Sequence, residues 1–175
     1  MIRIIAIVIA LLIAGVLLFA ATRPDVFQVE RKTTIQAPPD KVFALINDFK
    51  QWTGWSPWEK KDPGMKRTYG AATSGKGATY AWDGNKDVGK GSMEIIESAP
   101  PSKIRLKLDF ETPFEAHNRV AFTLEPRDGG TAVTWLMEGP VPYFAKIIHL
   151  FFNMDKMVGG DFETGLANLK ALAEK

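Results

Sequence analysis

Cysteine is absent from the 175-residue chain, and histidine occurs only twice. The absence of cysteine excludes disulfide bonds, thiolate catalysis and cysteine-ligated zinc, although it leaves the cellular compartment open. Neither histidine stands in a serine–carboxylate arrangement or in a metal-binding HxxxH spacing. The sequence therefore predicts no metal site, no cofactor and no catalytic triad.

Runs of one charge are also absent. The chain has 22 Lys and Arg residues against 20 Asp and Glu residues, a net charge of +2, and without a basic cluster nucleic acid is not a predicted partner. The glycine-rich stretches GKGATYAWDGN and GKGS could suggest a phosphate-binding loop. They join predicted antiparallel strands rather than a strand and a helix N-terminus, so we interpret them as turns and bulges.

One long hydrophobic run is present at the N-terminus. Residues 4–21, IIAIVIALLIAGVLLFAA, contain no charged side chain and would form a helix of about 27 Å, close to the bilayer core of about 30 Å. The run is longer than the apolar region of a signal peptide, about 7–15 residues, and no clean cleavage site follows it. We therefore predict a single-pass membrane anchor over residues 1–22, with a cleaved signal peptide as the alternative, and one domain over residues 23–175.

The charges that flank this run nearly cancel in the positive-inside rule. Arg3 lies on one side of the run, and Arg23, Arg31 and Lys32 lie on the other. Short N-terminal anchors commonly leave their tail in the cytoplasm, so we expect the domain outside the cytoplasm, in a periplasm-type compartment.

Alternation of apolar and polar residues predicts a sheet after the anchor. The clearest strand is Lys103–Phe110, in which every second residue from Ile104 is apolar, as expected when one face is buried and the other is wet. The other predicted strands are Val26–Gln36, Met65–Tyr69, Gly77–Asp83, Val88–Ser98, His117–Glu125 and Thr131–Met137.

Helical periodicity appears in two regions. A short helix is predicted after the proline pair at 38–39, with Asp40 in its first turn. A long helix is predicted from Tyr143 to Lys175, where apolar residues recur at spacings of three and four: Ile147 or Ile148, Phe151, Met154, Val158, Phe162, Leu166 and Leu169. Gly159 and Gly160 in its middle predict a kink or a close backbone approach. The fold class is therefore α+β, with an antiparallel sheet of about six to seven strands curved around the C-terminal helix.

Several stretches carry a family resemblance, and they cover nearly everything after residue 26. They are APPDKVFALINDFKQWTGWSPWEK, GKGATYAWDGN, VGKGSMEIIE, FEAHNRVAFTLEP, GGTAVTWLMEG and DKMVGGDFETGLANLK. The chain resembles the START-like helix-grip superfamily (SRPBCC), in its polyketide cyclase/dehydrase-like branch. The resemblance implies a hydrophobic cavity between sheet and helix, which relatives use for lipids, sterols, quinones or polyketides, and it implies no particular activity. The added N-terminal span departs from the simplest cytosolic members.

Candidate ligand-binding residues follow from the predicted inner face and this resemblance. The run DFKQWTGWSPWEKKDP is expected to form a short helix and loop whose tryptophans cap the cavity, plug the end of the core or contact the membrane. Strand parity turns Asn118 inward and His117 outward. The predicted cavity-lining residues are Trp52, Trp55, Trp58, Tyr80, Trp82, Phe110, Asn118, Phe122, Trp135, Met154 and Phe162.

Together these features predict a membrane-tethered binding protein for a hydrophobic small molecule or lipid. One alternative is an enzyme of the polyketide cyclase/dehydrase type, for which Glu111, Glu115 or Asp155 could serve as acid or base if buried. Few convergent titratable groups support that alternative. The other alternative is an interaction module that binds no ligand because side chains fill its cavity.

Overall fold

The structure is a computed structural model that describes residues 1–151 and 153–175. The helices are α1 (Ile2–Ala21), α2 (Pro39–Asn47), α3 (Trp52–Trp55), α4 (Pro57–Lys61), α5 (Tyr143–His149) and α6 (Met154–Ala173), with a 3-10 turn at Phe49–Gln51. The strands are β1 (Val26–Ile35), β2 (Lys66–Tyr69), β3 (Thr79–Asp83), β4 (Lys90–Ala99), β5 (Lys103–Thr112), β6 (Ala116–Arg127) and β7 (Gly130–Pro140).

All seven strands form one antiparallel sheet in the order β1-β7-β6-β5-β4-β3-β2. Side chains alternate between its faces as the sequence predicts; in β6, Asn118 is buried and His117 is exposed. α6 contacts β1 and the three short helices α2, α3 and α4, which fill the space between the sheet and α6. The predicted α+β helix-grip architecture is therefore confirmed.

The segment between β1 and β2 breaks into short helices because prolines begin two of them. Pro39 occupies the first turn of α2 together with Asp40, where its fixed φ and missing N–H are tolerated. Pro57 begins α4 after Ser56, whose backbone is extended. The tryptophan run is thereby divided between α3 and α4.

One element differs from its prediction, because Tyr143–Lys175 forms two helices rather than one. Asn153 has a non-helical backbone and its side chain accepts a hydrogen bond from the Lys156 N–H, so it caps the start of α6. α5 ends at His149, and residue 152 lies outside the described residues. Phe151, predicted in the buried stripe, is 75% exposed because the break removes it from the phase of α6.

α6 approaches β1 closely at a glycine, as one of the two predicted alternatives requires. A Cβ on Gly159 would collide with the guanidinium of Arg31. That guanidinium bonds Asp155 at 2.6 Å and Glu163 at 2.7 Å, and these hydrogen bonds raise the pKa of Arg31 above its usual value. The helix continues through Gly159 and Gly160 without interruption.

One end of the sheet lies next to the N-terminal helix, and we call it the anchor-side end. β1 begins there at Val26, paired with Pro140 at the end of β7. α1 contacts α5, and the Tyr143 hydroxyl donates a hydrogen bond to the Leu17 carbonyl at 2.8 Å. The strand register places the β5–β6 turn, which holds Phe114, at this same end.

Candidate functional site

The aromatic residues predicted to line a cavity contact one another in a single network. The ring contacts begin at Phe110 of β5 and lead to the centre of the domain. They run through Trp82, Tyr80, Phe49 and Trp52. We call the central group the aromatic cluster; it consists of Trp52, Trp55, Trp58, Phe122, Trp135 and Phe162. Phe49, which joins the two halves of the network, was not among the predicted residues.

Two tryptophans of the run also complete the end of α2. The indole N–H of Trp52 donates to the Ile46 carbonyl at 2.9 Å, and that of Trp55 donates to the Leu45 carbonyl at 3.0 Å. The last carbonyls of a helix lack intrahelical partners, so both rings fill the core and satisfy the helix terminus. Trp58 packs against Trp135 and Phe162 and remains partly exposed.

Trp135 lies at the centre of the aromatic cluster. It stacks on Phe162 of α6 with ring centroids 4.0 Å apart, and its far edge closely approaches Gly165. Its indole N–H is buried and has no hydrogen-bond partner among the residues that the structure describes. A buried unpaired donor is costly, which makes this atom a candidate contact for a ligand oxygen or a water molecule.

The two non-aromatic candidates lie outside this network, toward the anchor-side end. Asn118 is buried, and its amide oxygen lies beside Gly139. Phe27 of β1 also lies against Gly139 and forms an edge-to-face contact with His149. Met154 is partly buried at the start of α6.

The cavities on the described part of the chain include the following two. One of about 290 Å³ lies over β2–β5 and contains Tyr80 together with Lys107, Asp109 and other polar residues. The other, of about 270 Å³, lies at the anchor-side end between β1, α5 and α6. Its apolar lining comes from Val26, Phe27, Val141 and Met154, and its polar lining comes from Arg23, Gln28, Lys146, His149, Asn153 and Asp155.

A buried carboxylate escaped the sequence analysis. Glu59 accepts hydrogen bonds from Arg67 at 2.7 Å and from the Tyr80 hydroxyl at 3.0 Å. Burial and the Glu59 carboxylate raise the pKa of Tyr80, and the hydrogen bond to Glu59 raises the pKa of Arg67. Because both carboxylate oxygens are occupied, the group joins α4 to β2 and β3 and offers no free base. No sign of this burial is present in the sequence, because a glutamate in the charged stretch PWEKK is expected to face solvent and the residues that bond Glu59 lie in other elements.

The acid–base candidates are paired on the surface rather than gathered at a site. Asp155 binds Arg31, and Glu111 binds Lys90 at 2.8 Å. Glu115 lies 3.3 Å from His117. Within residues 1–151 and 153–175, no group of three or more His, Asp or Glu side chains is placed to hold a metal ion.

The comparison with family models decides the family. The model described as polyketide cyclase / dehydrase and lipid transport matches residues 26–174. The chain belongs to this family. The match covers nearly all of the chain after α1, and it confirms the superfamily that the sequence resembles. A comparison with curated proteins gave no match.

Solved structures confirm the fold. The CV1439 protein of Chromobacterium violaceum superposes with a TM-score of 0.60 at 18% identity, over 87% of this chain and 99% of its own. The MLL2253 protein of Mesorhizobium loti superposes with a TM-score of 0.62 at 16% identity, over 83% of this chain and 96% of its own. The Aha1 dimer of Colwellia psychrerythraea superposes with a TM-score of 0.58 at 15% identity, over 85% of this chain and 96% of its own.

Proposed function

We propose that the protein is a membrane-tethered binding protein for an apolar small molecule or lipid. The observation that carries this proposal is the position of the anchor-side cavity, directly beside the exit of α1. The family description includes lipid transport, and the helix-grip fold suits the binding of hydrophobic ligands.

α1 provides the tether. It is long and apolar enough to cross a membrane, a property that a signal sequence shares. Its large side chains are exposed along its length, with Ile4 67%, Leu11 67% and Leu18 72% exposed. An exposed apolar surface of this extent marks a contact site, and we assign it to a membrane. The domain is expected outside the cytoplasm, which protease protection of vesicles would test.

The anchor-side cavity suits one end of an apolar molecule. Its volume of about 270 Å³ lies near the lower end for small-molecule sites, about 300 Å³. Phe27 and Met154 supply apolar surface, while Lys146 and His149 contribute polar groups to the lining. Removing roughly 200 Å² of ligand surface from water would contribute about 5 kcal/mol before ordering costs, so a dissociation constant of about 0.2 mM or weaker is expected from this cavity alone.

A second candidate is supported by the aromatic cluster. Trp55, Phe122 and Trp135 are almost fully buried against one another, and an interior filled by its own rings favours an interaction module without a ligand. A cyclase-type enzyme is favoured by no comparable observation, because the carboxylates named above are paired.

Filling the anchor-side cavity tests the proposal. The full chain, purified in lipid nanodiscs, would be examined by native mass spectrometry for bound apolar molecules. Met154→Trp should abolish the adduct by occupying the cavity, whereas Met154→Leu, which nearly conserves volume, should retain it. A wild-type protein without any adduct, or equal retention by Met154→Trp, would support the interaction module instead.

A further inference from the structure

The side chains of α5 are arranged in the reverse of the usual way, with a charged residue inside and apolar residues outside. Lys146 is its buried residue, 7% exposed, and its ammonium group pairs with Asp25 at 2.6 Å. On the outside, Phe144 is 72% and Ile148 41% exposed, and Phe151 just beyond the helix is 75% exposed. A surface helix in water normally turns its apolar side chains inward and its charges outward.

These outward side chains form one stripe. Phe144 and Ile148 are four residues apart, a spacing that places helical side chains on the same face, and Phe151 follows in the turn after His149. We call these three residues the outer stripe. Phe114 in the β5–β6 turn, 82% exposed, adds a fourth apolar side chain at the same end of the sheet.

The outer stripe lies beside α1. The Tyr143 hydroxyl reaches the Leu17 carbonyl in the last turns of α1, and the Val141 N–H donates to the Asp25 carbonyl at 2.7 Å. Residues 22–25 alone separate α1 from β1, a tether that spans at most about 14 Å. The domain therefore cannot move far from the surface through which α1 enters the bilayer.

We propose that the outer stripe and Phe114 insert into the boundary between lipid headgroups and acyl chains, so that the domain lies with its anchor-side end against the bilayer. The proposal rests on the proposed function, since it takes α1 as the membrane span. Tyr143 directly precedes the stripe, and Arg23 lies in the linker just after α1; tyrosine and basic residues are typical of membrane interfaces. The bilayer is chosen over a protein partner because α5, which carries the stripe, packs against the last turns of α1, and the exposed side chains of α1 are apolar.

The absence of cysteine makes a direct test possible. Single-cysteine variants of the full chain would be labelled with the fluorophore NBD and reconstituted into phosphatidylcholine vesicles that contain nitroxide-labelled lipid. Phe144→Cys and Phe151→Cys report on the outer stripe. Ser102→Cys, in the turn at the opposite end of the sheet, is the control for the aqueous phase, and Leu12→Cys in α1 is the control for the membrane interior.

We expect nitroxides near the headgroup to reduce fluorescence at positions 144 and 151 by at least about twofold and to leave position 102 unchanged. If labels at 144 and 151 behave like that at 102 while position 12 is quenched, the docking proposal is wrong and the anchor stands. If position 12 is also unquenched, the proposed tether itself fails. Protection from aqueous iodide without quenching by lipid would indicate a protein partner and would overturn bilayer docking.

Discussion

The aromatic cluster and the anchor-side end use similar side chains in opposite surroundings. In the cluster, Phe162 is 1% exposed and stacks on Trp135. At the anchor-side end, Phe144 is 72% exposed and the charged group of α5 is inside. The difference separates two kinds of apolar surface, one that is buried and holds the fold together and one that is exposed.

The largest expected difference is therefore in the free energy of unfolding when a phenylalanine of each region is replaced by aspartate. Phe162→Asp removes a buried ring, which alone costs about 3–5 kcal/mol, and it buries an unpaired carboxylate. Since a domain is stable by about 5–15 kcal/mol, we expect little or no cooperative unfolding transition. Phe144→Asp should change the unfolding free energy by less than about 0.5 kcal/mol.

Chemical denaturation of the full chain in detergent, followed by circular dichroism, measures both variants. Ala167→Asp, at an exposed position of α6, controls for the new charge on that helix. If Phe162→Asp unfolds at the wild-type denaturant concentration, α6 is not docked through this ring.

Glycines of α6 give a second comparison between tight and open packing. A Cβ on Gly165 would lie 2.8 Å from Trp135 and 3.1 Å from Pro57, whereas a Cβ on Gly160 meets nothing within 4 Å. Gly165→Ala should lower the unfolding free energy by about 1–3 kcal/mol through overpacking, partly offset by helix propensity. Gly160→Ala should raise it by about 0.5–1 kcal/mol. Opposite signs in thermal melts support the tight cluster, and equal stabilisation contradicts it.

Indole N–H groups distinguish positions within the aromatic cluster. Trp55→Phe leaves the Leu45 carbonyl without its partner, whereas Trp135→Phe removes a donor that has no partner among the described residues. An unpaired buried group costs about 1–3 kcal/mol, so Trp55→Phe should be the more destabilising variant by about that amount. Urea denaturation of both variants would settle the order. A reversed order would mean that the Trp135 N–H has an acceptor, such as a water molecule or the oxygen of a bound ligand.

The sheet was predictable from the sequence because period-two alternation has a single physical cause. Every second residue of Lys103–Phe110 is buried or partly buried on the inner face, as the pattern requires. The packing of α6 against the core was predictable from the spacing of Phe162, Leu166 and Leu169, which are all buried.

The break between α5 and α6 was not predictable from periodicity. The apolar spacing from Ile147 through Phe151 to Met154 continues across it, and a stripe that faces outward has the same period as one that faces the core. The only local signal was Asn153 as an N-cap, without the Glu or Gln three residues later that strengthens such a signal; Lys156 stands there instead. Contacts among the candidate site residues likewise depend on pairing between distant elements, which one sequence does not specify.

The smallest expected effect concerns charge at the anchor-side end. His117 lies 2.7 Å from Asp109. The hydrogen bond to Asp109 raises the pKa of His117 above its usual value of 6.5. Partial burial opposes ionisation of Asp109, but hydrogen bonds from Lys107 and His117 hold its pKa below its usual value of 3.8.

The sign of the pH dependence follows from these two shifts. The raised pKa of His117 contributes stability that is present below pH 6.5 and is lost as the pH rises through the folded-state pKa. The lowered pKa of Asp109 contributes stability that is lost as the pH falls through the folded-state pKa of that carboxylate. The melting temperature of the wild type should therefore exceed that of His117→Ala by more at about pH 5.5 than at about pH 9. Both residues are solvent-accessible, so added salt should shrink the difference, and Asp109→Asn should reduce it to the smaller part contributed by Glu115. A difference that is constant with pH would mean that His117 contributes packing rather than charge.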